Sequence, residues 1–255
     1  MDAISPVKTS LERARWQRGL SLGLPIVFGY VPIGFAYGVL AIKSGLSPRN
    51  TVLMSLIVYA GASQFIAAGL FAAGASPALI VLTTFVTNLR HLLMSAALAP
   101  HVRAWPRPLL PLFAYEVTDE TFAVHAATFA SASAKADAAS GGAIHRGAAF
   151  CVNGMAQVAW ISGSFLGVIG GQYIPDPKPW ALDYALPALF AALLMMQVRG
   201  DRGLDRIHLG VAAITGLLAV GLTLLGLDQW AVILSTVLGA TLGMVWEQWT
   251  KPSSS

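Results

Sequence analysis

The chain has 255 residues, 56% of them hydrophobic and 11% charged, with a net charge of +4. A soluble domain carries roughly 25% charged residues, so this chain cannot clothe a globule of its size in water. That excludes a soluble enzyme, a disordered chain and a nucleic-acid binder with a basic face. A mean hydropathy of +0.66 and a single cysteine, Cys151, leave a helical integral membrane protein without a disulfide framework.

Apolar runs of about 20 residues are long enough to cross the hydrocarbon core. Eight such runs occur: 21–42, 51–73, 77–99, 109–130, 147–171, 182–198, 207–227 and 229–248. A basic segment, 1–20, precedes them and holds Lys8, Arg13, Arg15 and Arg18. It resembles the start of a signal peptide, but the run behind it is long, contains Pro25 and Pro32, and lacks a small-residue cleavage site. It reads as a retained span. Six of the seven tryptophans fall near run ends, as an interfacial aromatic belt requires, and only Trp160 sits mid-run. The Ala/Ser-rich 131–141 reads as a loop and 249–255 as a tail. The expected fold is all-α: a polytopic transport domain over 21–248 with six to eight spans. The lower count applies if the first and fourth runs are re-entrant.

With eight spans, ten Lys and Arg residues fall on the side of the N-terminus and five on the other, Arg90 lying inside a span. The positive-inside rule then places both termini in the cytoplasm. An internal repeat is suggested by Gly34-x-x-x-Gly38-Val39 and Gly163-x-x-x-Gly167-Val168. Tyr59-Ala-Gly-Ala-Ser-Gln-Phe65 and Tyr184-Ala-Leu-Pro-Ala-Leu-Phe190 follow in the respective halves.

In the first run, Pro25, Gly29, Pro32, Gly34 and Gly38 predict a kinked or broken helix. Broken spans present backbone groups to a substrate, whereas close packing through small residues explains the glycines equally well. In the second run, Tyr59, Ser63 and Gln64 interrupt apolar sequence. They face either a substrate path or a neighbouring helix. The third run carries Asn88, Arg90 and His91. An arginine at this depth costs roughly 2.5 to 3.5 kcal/mol on insertion scales if it faces lipid, so it must pair or snorkel. The fourth run supplies Glu116, Asp119 and Glu120, spaced to share a helix face. Three acids against one arginine leave a surplus negative charge, and with it a candidate proton-exchanging site, which His91 and His125 could extend. The alternative is a wet interfacial segment. Asn153 and Gln157, one turn apart in the fifth run, face a path or cross-link helices. There is no Walker A loop, no H-E-x-x-H pair and no G-x-S-x-G. Neither ATP coupling within this chain nor enzymatic activity is expected, and no cofactor or metal is implied.

Pro32-x-Gly34-x-x-x-Gly38, Ala60-Gly-Ala-Ser-Gln-Phe65, Asn88-Leu-Arg-His91 and Asp119-Glu120, in that order, resemble the AzlC family. This is the larger subunit of a two-component branched-chain amino-acid exporter. The resemblance covers about Pro25 to Arg199. The family often has an aromatic residue after N-L-R-H, where this chain has Leu92, Leu93 and Met94. The resemblance implies export of valine, leucine or isoleucine, sometimes methionine, across the inner membrane. It also implies a small AzlD-type membrane partner. The substrate-binding candidates are Gly34, Gly38, Tyr59, Ser63, Gln64, Asn88, Arg90 and His91. The ion-pair or proton-coupling candidates are Arg90, Glu116, Asp119 and Glu120. A passive channel for a small neutral solute and a non-transporting scaffold subunit are the alternatives.

Overall fold

A computed structural model describes residues 6–135, 146–200, 203–204 and 206–250. The first half holds α1 (Pro6–Lys43), α2 (Pro48–Ile57), α3 (Gly61–Ala72), α4 (Pro77–Val102), α5 (Leu109–Tyr115) and α6 (Asp119–Lys135). The second holds α7 (Arg146–Gly170), two 3₁₀ turns (Lys178–Trp180 and Leu182–Tyr184), α8 (Ala185–Val198), α9 (Arg206–Leu224) and α10 (Asp228–Thr250). A two-residue antiparallel pairing of Arg199–Gly200 with Gly203–Leu204 joins α8 to α9. Among the described residues, three helices, Trp16–Lys43 within α1, α4 and α7, are long and apolar enough to cross a membrane.

α1 starts at Pro6 and carries Lys8 to Arg18 on the same helix as the first apolar run. The expected loop at 131–141 begins as the last turn of α6, and 136–145 lie outside the described residues. So do 251–255 of the tail, while Trp249 and Thr250 end α10.

The broken first helix is corrected by the structure: α1 runs without interruption through Pro25 and Pro32. Each proline deletes one backbone donor, but neighbouring helices hold such a span together. Here the neighbour is α7. Gly34 faces Gly163 and Gly38 faces Gly167, so closely that a Cβ on Gly38 would stand 2.3 Å from the Ser164 carbonyl oxygen. The two G-x-x-x-G-V motifs are therefore the two sides of one helix crossing. The breaks fall elsewhere. The second run splits at 58–60 and the fourth at 116–118. Tyr59 adopts φ +43, and Ala181, just ahead of α8, adopts φ +52. These are left-handed conformations that side chains other than glycine rarely take. Gly61 is required beside the 58–60 break, since a Cβ there would meet the Trp160 ring at 2.8 Å.

Three helix-to-helix turns share one construction. Gly45, Gly74 and Gly226 have positive φ. The following residue's N–H reaches back across the helix end in each case: Leu46 to Ala41, Ala75 to Leu70 and Leu227 to Leu222. This is the Schellman pattern. In the first two, Ser47 and Ser76 cap the next helix and Pro48 and Pro77 open it.

Two apolar clusters hold the bundle. One packs Tyr30 and Tyr37 of α1 against Phe65 of α3 and Trp160 of α7. The other joins Met94 and Leu98 of α4, Phe113 of α5, Phe129 of α6 and Ala149 of α7. α9 and α10 pack on each other, and α10 touches α4.

Candidate functional site

The two breaks meet. Tyr59 and Tyr115 rings lie 6.3 Å apart, and the Tyr115 hydroxyl donates to the Leu56 carbonyl. Beside them is a narrow cleft. Its walls are Tyr30 and Ile33 from α1, Tyr59 to Ala62 from the first break, and Arg90 and His91 from α4. Thr118 from the second break, Asp119 and Glu120 from the start of α6 and Trp160 from α7 complete it.

The start of α3 faces this cleft without a cap. Ala60 offers no side-chain acceptor, so the first-turn amides have no partner within the helix. They carry the positive end of the helix dipole. Arg90 Nη1 sits 3.0 Å from Asp119 Oδ2, with the side chains 29% and 21% exposed. Arg90 Nε is buried without a partner. The Tyr30 hydroxyl lies 2.5 Å from Glu120 Oε2 and 2.7 Å from Thr118 Oγ1. Thr118 also accepts from the Thr121 amide, capping α6. The cleft thus holds a guanidinium and two carboxylates beside uncapped amides, with aromatic and aliphatic walls.

Of the residues singled out from sequence, Tyr59, Arg90, His91, Asp119 and Glu120 line this cleft. The others are placed differently. Gly34 and Gly38 lie in the α1–α7 seam. Ser63 donates to Asn88 Oδ1 at 2.5 Å, tying α3 to α4. Gln64 is fully buried. Its Oε1 accepts from Trp160 Nε1 at 3.0 Å and its Nε2 donates to Ser55 Oγ at 3.0 Å. Ser55 in turn donates to Ser164 at 2.7 Å. This closed ring joins α2, α3 and α7 and leaves no free group for a ligand. Gln64→Leu is therefore expected to strand the Trp160 N–H and lower stability by about 1–3 kcal/mol. Thermal unfolding in detergent reads this, and an unchanged midpoint would refute it. Glu116 stands apart from the cleft lining, near Asn153 and His125. Gln157 donates to the Tyr115 hydroxyl at 3.3 Å.

Tyr30, Thr118 and Trp160 join the site although their sequence context did not mark them. The one available signal was Trp160, alone among the tryptophans in lying mid-span.

The AzlC protein family model matches residues 25–174. The inner membrane protein YgaZ of Escherichia coli is 30% identical over 246 residues, covering 92% of each chain. An uncharacterised membrane protein of Archaeoglobus fulgidus is 29% identical, over 90% of this chain and 94% of its own. The branched-chain amino acid transport protein AzlC of Bacillus subtilis is 25% identical, over 82% of this chain and 76% of its own. No solved structure matches. With helices fit to span a membrane and a charged cleft enclosed among them, the chain belongs to the AzlC family of membrane transport proteins.

Proposed function

We propose that this chain is the large subunit of an inner-membrane exporter of valine, leucine and isoleucine, with methionine a further substrate. The observation that carries the reading is the cleft's composition. A zwitterion with an aliphatic side chain needs an anion site, a cation site and an apolar wall. The uncapped amides of α3 and Arg90 suit the carboxylate. Asp119 and Glu120 suit the ammonium. Ile33, Tyr30, Tyr59 and Trp160 supply the wall, and His91 stands at its edge. Gly34, Gly38, Ser63, Gln64 and Asn88 then shape the site from behind rather than touch substrate. Proton-motive force is the proposed drive, from the surplus of acids over Arg90, and an AzlD-type subunit the proposed partner, on the strength of the family resemblance. The N-terminus is proposed to be cytoplasmic from the Lys and Arg distribution.

Cells lacking the gene are expected to over-accumulate branched-chain amino acids when fed dipeptides that contain them. Equal intracellular pools with and without the gene would overturn the exporter reading. Leucine efflux from proteoliposomes, with and without a proton gradient, separates a driven exporter from a passive channel.

A further inference from the structure

We propose that Glu116, with Asn153 and Tyr59 around it, is the proton-binding site of the transport cycle, separate from the cleft that takes the amino acid. The proposal rests on the transport reading above and locates the proton within it.

Of the three acids in the fourth run, two are engaged: Asp119 by Arg90 and Glu120 by Tyr30. Glu116 is 8% exposed, and no salt bridge to it is found among the described residues. It caps the C-terminal end of α5, where the helix dipole opposes negative charge. Its Oε2 has no hydrogen-bond partner. Two other buried groups share that condition, Asn153 Nδ2 and the Tyr59 hydroxyl, and both belong to its surroundings. A buried donor or acceptor without a well-formed hydrogen bond costs about 1–3 kcal/mol, and Asn153, already directed at the Glu116 carboxyl, is the donor that can complete one.

The titratable groups around Glu116 are few. The first break contributes Tyr59, on which both Glu116 and Glu120 act, and α5 contributes Tyr115; His125 of α6 reaches the site through Asn153. From α7 comes the neutral Asn153, whose Oδ1 is held by His125 Nε2 at 2.8 Å. Arg90 is occupied across the cleft by Asp119. Among the described residues, a carboxylate at Glu116 therefore has the Asn153 amide and the Tyr59 hydroxyl near it and no salt-bridge partner. In one state a proton from water is bonded to a Glu116 oxygen and the group is neutral. In the other the proton has left to water, and Asn153 Nδ2–H and Tyr59 O–H turn to donate to the carboxylate. No other bond is made or broken. The change tightens the second break against α7 and against the first break. Asp119 and Glu120, three and four residues further on, open α6 directly after the same break, so the proton's presence is felt where the ammonium binds.

The test uses the full chain and Glu116→Gln, which keeps the shape of the neutral acid. In proteoliposomes, wild-type protein is expected to exchange leucine between equal pools and to accumulate it against its gradient when a pH gradient is imposed. Glu116→Gln is expected to keep the exchange and lose the accumulation, and accumulation at the wild-type level would overturn the proposal. A second measurement does not need a substrate. Infrared titration of purified protein is expected to show a buried carboxylic-acid C=O band that is absent in Glu116→Gln and shifted in Asn153→Leu. A spectrum indifferent to both substitutions overturns the proton site. If wild-type protein moves no leucine while the band behaves as expected, the substrate reading fails and the proton site stands.

Discussion

Gly167→Ala is expected to empty the membrane of folded protein. A Cβ at this position would lie 2.1 Å from the Phe35 carbonyl oxygen and 2.9 Å from Gly38 Cα. Both obstacles are backbone, so no side chain can swing aside. Overpacking into ordinary side chains costs about 1–3 kcal/mol. Separating two helices along a shared seam also forfeits the close packing on either side of it, since without a hydrophobic drive between spans such packing holds them together. Gly38→Ala meets the same obstruction from the other helix, and its loss should be as severe. Gly154→Ala, on the same α7 but in open space, is the control and should accumulate normally. Size-exclusion profiles of the fluorescently tagged proteins measure this, and equal monodisperse yields of the Gly154 and Gly167 variants would refute it.

Arg90→Met is expected to cost about 3 kcal/mol of stability, the low end for breaking one half of a buried pair, because both partners keep some exposure. Asp119 is left without its cation. Adding Asp119→Asn should restore most of the folded yield, since no unpaired charge is left behind. Transport should stay lost, because the cleft then has neither its guanidinium nor its facing carboxylate. Adding Glu120→Gln instead should restore nothing, since Glu120 is tied to Tyr30 rather than to Arg90. Recovery of yield by the Glu120 double variant and not by the Asp119 one would show the pairing to be wrong.

The charged half of the cleft could be read from the chain because charge in hydrocarbon is rare and demands compensation. Arg90 announces a partner, and the fourth run is where acids cluster. The polar residues of the second run were harder to place. Gln64 and Ser63 carry the same chemistry whether they bind a ligand or another helix. The distinction depends on Ser55, Trp160 and Asn88 arriving from distant sequence. The break at Tyr59 also rotates α3 relative to α2, so periodicity across 51–73 does not report one face. In α1 the composition pointed to a break that the structure lacks. Proline and glycine set a helix's tolerance for bending, while its actual course here follows α7. The repeated G-x-x-x-G-V was visible as a similarity, but that its two copies touch each other could come only from three dimensions.

The Gly-turn-Ser-Pro reversals bear on how the protein is made. Everything that stops α3 and starts α4 lies within Gly69 to Ile80, and the hydrogen bonds involved are all local. The same is true of the turn from α9 to α10. Such turns need no lipid and no distant helix to form, and closing a short loop is fast compared with chain synthesis. α3 with α4, and α9 with α10, can thus emerge from the ribosome and enter the bilayer as preformed hairpins. The α1–α7 seam must wait until the second half of the chain has been synthesised. Biogenesis is thereby ordered: local hairpins first, and the long-range crossing that encloses the cleft last.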